Sequence, residues 1–297
     1  MRITNRGRGK RAASTPISPD DALTESAKQV VRASVNAEFK PDPLFTADLS
    51  RLLSTASSIV KRHGPLIEDA VAAELERAKL IVKRHVPVPI TRAALAMVDS
   101  RDYPEFAEQE FSFDENDIVD HVDIDILAID ETNGWAAAVS VKRGGGLTEP
   151  RKRKNNERCL RAVELILASR LRQQGYHRIE TAVVALLDYL GQSGFSEDLT
   201  ITGDAIDGFF DLPVVAAIDR MTASLSRAFD HETRRLLEPV LLSLRSETPQ
   251  DDGLDVADKL SPRGRRGRRR VSPAGEVLNP LPRVSAPSIV RRQSAVV

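Results

Sequence analysis

The chain has 297 residues, 41% of them hydrophobic and 29% charged, with 43 basic side chains balanced by 43 acidic ones. That length holds one domain of roughly 200 residues plus extensions, and an aromatic content of 4% leaves little for base stacking. The single cysteine, Cys159, excludes an internal disulfide framework and a cysteine-rich zinc site. No uncharged run approaches a membrane span, and the N-terminus has arginines without the apolar core of a secretory signal, so the expected compartment is the cytoplasm.

The neutral total hides a segregation of charge. Residues 1–19 carry five basic side chains and no acid, and residues 261–297 carry nine arginines and one glutamate, which leaves residues 20–260 at a net −13. Within the C-terminal stretch, RGRRGRRR at 263–270 holds six arginines in eight residues. Such an acidic body with basic ends can capture nucleic acid electrostatically through its ends. The expected organisation is a disordered basic tail over 1–22, an α/β domain with helical additions over 23–245, and a disordered arginine-rich tail over 246–297.

In chain order, residues 23–60 read as one or two helices with Leu49, Leu52, Leu53 and Ile59 as apolar points. Residues 64–84 read as a helix, with Pro65 at its first position and Leu66, Ile67, Ala70, Val71, Ala73 and Leu75 as its stripe. His85 to Arg92 is extended, and its two prolines argue against a central strand. Phe111 to Phe113 begins or precedes the next strand. Two strands, Val122 to Ile129 and Trp135 to Val141, flank Asn133-Gly134, a pair that tolerates positive φ and suits a two-residue hairpin turn. A helix over Glu149 to Gln174, a buried strand over Ile179 to Tyr189, a glycine-bearing loop over Leu190 to Gly208 and a helix over Val214 to Leu244 broken near Pro239 follow. The last helix suits core packing, or the surface of a homodimer.

The hairpin carries the chemistry. If Thr132 opposes Trp135, then Asp125 opposes Lys142, and Asp123, Asp125, Ser140 and Lys142 share one face. Ile124, Ile126, Val139 and Val141 then fall on the other face and suit a core, while Leu127 and Ile129 make the site face apolar further along, so both faces are covered, as in a mixed central sheet flanked by helices. Carboxylates suit Mg²⁺. An ion there can polarise a phosphate and activate water, and a neighbouring lysine can position that water or stabilise developing negative charge. The plainer alternative is a hairpin with a solvated charged face.

The order helix, strands, helix, strand, with Asp125 in DILAID and Val139-Ser140-Val141-Lys142, resembles the α-β-β-β-α-β core of the PD-(D/E)XK nuclease superfamily over roughly residues 60–190. The resemblance implies a restriction-endonuclease-like fold and Mg²⁺-dependent (or Mn²⁺-dependent) phosphodiester hydrolysis, with Asp125 as metal ligand, Lys142 as the motif lysine and Glu68 as the helix-borne glutamate. Serine stands at 140 where the family usually has an acid, and Asp123, from the same face, and Glu68, from the helix, are the candidate replacements. Glu68 in a first turn is equally explained by the helix dipole.

The expected catalytic set is therefore Asp125, Lys142 and Glu68, with Asp125, Asp123 and Glu68 holding metal. Lys142, Arg143, Arg151, Lys152, Arg153 and Lys154, together with Arg265, Arg266, Arg268, Arg269 and Arg270, are expected to contact nucleic acid. The leading expectation is a deoxyribonuclease acting without a membrane. Its rivals are a nucleic-acid-binding protein that kept the fold without catalysis, and an adaptor or effector that docks or is transported through its arginine tail. Gly144-Gly145-Gly146 lacks the P-loop lysine and reads as a turn. His63, His85, His121, His177 and His231 show no paired metal spacing.

Overall fold

The computed structural model describes residues 19–106 and 109–246. The chain divides into a compact unit ending at Ser243 and a second unit from Leu244, of which 244–246, the end of a helix, are described. The arginines at 265, 266, 268, 269 and 270, and the tails expected over 1–22 and 246–297, lie outside the described residues apart from their inner ends.

Helix α1 (Pro19–Val35) starts inside the segment expected as N-terminal tail, and α2 follows (Ala47–Arg77). The α2 boundary corrects the expected helix over 64–84. Thr46 caps it, accepting from the Leu49 amide at 3.4 Å, and Pro65 sits inside the helix rather than at its first position. The apolar stripe runs upstream of Pro65, with Thr55 and Ile59 already buried, so packing carries the helix through one missing amide donor. Past Lys79, at φ 68, the chain turns into β1 (Ile81–Thr91), and short helices α3 (Arg92–Val98) and α4 (Tyr103–Phe106) follow. A 3-10 turn (Glu115–Asp117) leads to β2 (Ile118–Asp130), then β3 (Trp135–Lys142), α5 (Pro150–Gln173) and β4 (Thr181–Asp188). The segment expected as loop to Gly208 contains β5 (Thr200–Ile201) and the start of α6 (Ala205–Phe210), and α7 (Val214–Ser246) runs through Pro239. Phe111 and Phe113 form no strand; their amides donate to Leu165 O and Ser169 Oγ of α5.

The five strands lie in chain order, β1-β2-β3-β4-β5. The first three are antiparallel neighbours, and β3 pairs with β4, and β4 with β5, in parallel. β1 is an edge strand, and this accommodates Pro87 and Pro89, which pair with Asp123 and His121. Helices cover both faces. Leu23, Ala27 and Val31 of α1, Ile67, Ala70 and Val71 of α2 and Ile218 and Met221 of α7 form one buried core with Ile126, Ala128, Ala137, Val139 and Val141. On the other face Val163, Ile166, Leu167 and Leu171 of α5 pack on Leu127, Ile129, Ala136, Ala138 and Leu186. Each fully buried valine, leucine, isoleucine or methionine side chain in these layers contributes about 1.5–3 kcal/mol.

The β2-β3 connection differs from the expected two-residue turn. Asp130 opposes Trp135, so four residues form the loop. Asp130 Oδ1 accepts from the Thr132 and Asn133 amides, a side-chain turn that outcompetes Asn133 adopting positive φ; only Gly134 does so, at 69°. The register shift is two residues, which preserves which side chains share a face.

A second irregularity matters more. On β1, Val82 packs with the α2 layer but Val86, Val88 and Ile90 with the α5 layer; on β2, Ile126 packs with the α2 layer but Ile124 with the α5 layer. Residues two apart share a face of a regular strand, so both strands change face between these positions. The residues there are His85, at φ 49, and Asp125, flanked by the pairs Arg84↔Ile126 and Val86↔Ile124. Ile124 is therefore placed opposite to the face expected for it.

Candidate metal centre

Main-chain pairing of β2 with β3 stops at Ile126↔Val139. Where the next ladder bond would form, the Asp125 carboxylate takes over. Its Oδ2 accepts from the Val141 amide at 2.6 Å and from Ser140 Oγ at 3.2 Å. Lys142 Nζ donates to Ser140 Oγ at 3.1 Å and to the Val141 carbonyl at 3.2 Å, and lies 3.8 Å from Asp125 Oδ2. The structure thus brings Asp125, Ser140 and Lys142 together.

Glu68 reaches the same place from α2. It is 9% exposed, and its Oε2 is buried with no hydrogen-bond partner. Burial first, and then the neighbouring Asp125 carboxylate, push the Glu68 carboxyl above its usual range, against the pull of His85, Arg84 and Lys142. One ligand atom each from Glu68, His85 and Asp125 lies within 4.8 Å of the others. Asp123, expected as a replacement acid, is exposed, opposite Pro87, and outside this group. His85 takes the third position, and no local spacing announces it: β1-β2 pairing delivers it from 40 residues upstream of Asp125. An orphaned buried carboxylate oxygen beside a second carboxylate and an imidazole is a donor set that a divalent cation fits.

Of the expected nucleic-acid contacts, Arg151, Lys152 and Lys154 are exposed at the start of α5, and Arg153 is half-buried. Glu149 already accepts the Arg151 and Lys152 amides at 2.9 and 2.8 Å, so this helix start supplies side-chain charge rather than a backbone phosphate nest; Gly145 and Gly146 lie in a bend between β3 and α5. Arg143 points inward: its Nε donates to His63 Nδ1 at 3.2 Å, and His63 Nε2 meets Thr222 Oγ1 at 2.9 Å.

Accepting from Arg143 requires an unprotonated Nδ1, which fixes His63 as the neutral tautomer donating through Nε2. Burial and then the Arg143 charge hold its pKa below the ordinary 6.5. A lowered folded-state pKa means the unfolded chain binds the proton first, so stability from this group is complete above pH 6.5 and falls as pH drops below it. With chelator present, wild type is expected to lose more melting temperature between pH 7.5 and 5.5 than His63→Gln; equal losses would mean that His63 is not held neutral.

No protein-family model matches this chain, and no curated protein and no solved structure matches it. No described helix is long and apolar enough to cross a membrane.

Proposed function

We propose that the protein is a metal-dependent nuclease of PD-(D/E)XK type, cleaving phosphodiester bonds in nucleic acid, with DNA as the expected substrate. The observation that carries this reading is the convergence of Glu68, His85 and Asp125 ligand atoms within 4.8 Å, with Lys142 Nζ 3.8 Å from Asp125. The elements α2, β1, β2, β3, α5 and β4 follow one another in the order that the resemblance implies, with the short helices α3 and α4 inserted between β1 and β2, and this supports the reading.

Held by Asp125, Glu68 and His85, a divalent ion would supply Lewis-acid polarisation of a phosphate and a water of lowered pKa. Lys142 presents its ammonium beside that place, where it can orient the attacking oxygen or stabilise charge on the phosphate. Arg151, Lys152 and Lys154 give the start of α5 a positive edge for the backbone. The test is cleavage of plasmid and linear DNA with Mg²⁺ or Mn²⁺ by wild type, Asp125→Ala and Lys142→Ala. Cleavage lost in both variants supports the reading; cleavage retained in both overturns it.

One observation favours a second reading, a nucleic-acid-binding protein without catalysis. Ser140 stands at the acid position, and its hydroxyl donates to Asp125 Oδ2, which the Val141 amide also occupies. A folded protein that binds DNA and leaves it intact with either ion would establish this alternative.

A further inference from the structure

We propose that His85 is a metal ligand and that it makes the centre selective for a divalent transition-metal ion such as Mn²⁺ over Mg²⁺. The inference rests on the metal-centre reading and adds the identity of the ion.

Three observations converge on His85. First, its backbone is in the left-handed region, at φ 49. That conformation is uncommon for a residue with a side chain and costs about 1–2 kcal/mol; such positions cluster where function requires them. Second, the departure from regular geometry occurs where β1 and β2 both change face, opposite Asp125, so the same distortion places the imidazole and the carboxylate in one group. Third, His85 Nε2 lies 3.7 Å from Glu68 Oε2, the buried oxygen that has no hydrogen-bond partner. The His85 side chain is 64% exposed, so an ion pair between the two would be screened and contribute little. Burying Glu68 so that one oxygen stays unpartnered is better explained by an ion between them. Two ligands of one such ion lie at most about 4 Å apart, so this group needs to close by under about 1 Å.

The donor chemistry then selects the ion. Mg²⁺ prefers an all-oxygen octahedron and gives up water reluctantly. Imidazole suits first-row transition ions, whose affinity rises from Mn²⁺ upward, so Mn²⁺, the weakest of that series, is the most demanding member with which to test the nitrogen's effect against Mg²⁺. With Ser140 in place of an acid, the protein offers two carboxylates and one nitrogen, a set short of hard charge for Mg²⁺.

The full chain is titrated with MnCl₂ and with MgCl₂, following bound Mn²⁺ by electron paramagnetic resonance and nitrogen coupling by its pulsed form. His85→Gly keeps the left-handed backbone and removes the donor; His85→Asn also tolerates that backbone and substitutes an amide oxygen. The expected result is Mn²⁺ bound with imidazole nitrogen coupling. In His85→Gly the coupling disappears and Mn²⁺ affinity falls about tenfold or more, since even outer-shell changes have effects of that size; in His85→Asn the Mn²⁺ preference narrows. If Mn²⁺ binds and Asp125→Ala abolishes binding, but nitrogen coupling is absent and both His85 variants match wild type, the role of His85 is overturned while the metal centre stands. If wild type binds neither ion, both are overturned.

Discussion

Aspartate in place of Ser140 is expected to raise Mg²⁺ affinity by about tenfold to a hundredfold and, with chelator present, to lower the melting temperature. Ser140 is 8% exposed, and its Oγ lies 3.2 Å from Asp125 Oδ2 and 3.1 Å from Lys142 Nζ. A carboxylate there adds one hard anionic donor to the two that Asp125 and Glu68 would offer an ion. At an effective dielectric of about 20, unit charges 4 Å apart interact by about 4 kcal/mol, and partial exposure and desolvation reduce that to the range given. Without metal the same carboxylate faces Asp125 and Glu68 as a like charge, relieved only by Lys142. The two signs must therefore be opposite: apo protein less stable, metal-bound protein more so. Calorimetric Mg²⁺ titration and melts with and without chelator read both. An unchanged Mg²⁺ affinity together with an unchanged apo melting temperature would show that position 140 does not reach the centre. If the variant also gains cleavage, the missing acid is what limits the wild-type site.

The alternation of DIDILAID and AAAVSVK makes Asp125, Ser140 and Lys142 readable as neighbours from sequence, and they are neighbours although the turn is longer than Asn133-Gly134 suggests. Asp130 captures the loop amides and lengthens the connection to four residues, but a two-residue shift leaves the faces unchanged. The prolines of β1 argue against a central strand for a physical reason, their missing amide donors, and β1 stands at the end of the strand order. What sequence could not show is the change of face at His85 and Asp125. Periodicity assumes one pleat along each strand, so parity places Asp123 with Asp125, while nothing local to the sequence pairs His85 with Asp125. Pro65 likewise suggests a helix start yet lies inside α2. A helix-start residue is a weak prior, and burial of Ile59 and Thr55 upstream overrides it.

Alanine at Gly144 is expected to destabilise the protein by about 3 kcal/mol or more, a fall in melting temperature on the order of 6–12 °C. Gly144 is two residues past Lys142, at φ 71, and a Cβ there would stand 1.6 Å from Asp188 Oδ1. The left-handed backbone alone costs a non-glycine residue about 1–2 kcal/mol. The clash cannot be relieved cheaply, because Asp188 is 2% exposed and holds the turn after β4 by accepting the Gly191 and Ser193 amides at 2.9 and 2.8 Å. Displacing its carboxylate would orphan those donors, at about 1–3 kcal/mol each. Asp188 is also the β4 partner of Lys142 in the parallel ladder, so a shift of either strand to make room moves the lysine relative to Asp125, and metal affinity should fall with stability. Gly146→Ala is the control: a Cβ there meets nothing within 4 Å, and its φ is not positive, so the change should stay within about 0.5 kcal/mol. A double-mutant cycle separates the two costs. In an Asp188→Ala background the steric part vanishes and Gly144→Ala should retain only its backbone part. Equal effects of Gly144→Ala in both backgrounds would mean that contact with Asp188 is not what requires glycine beside the centre.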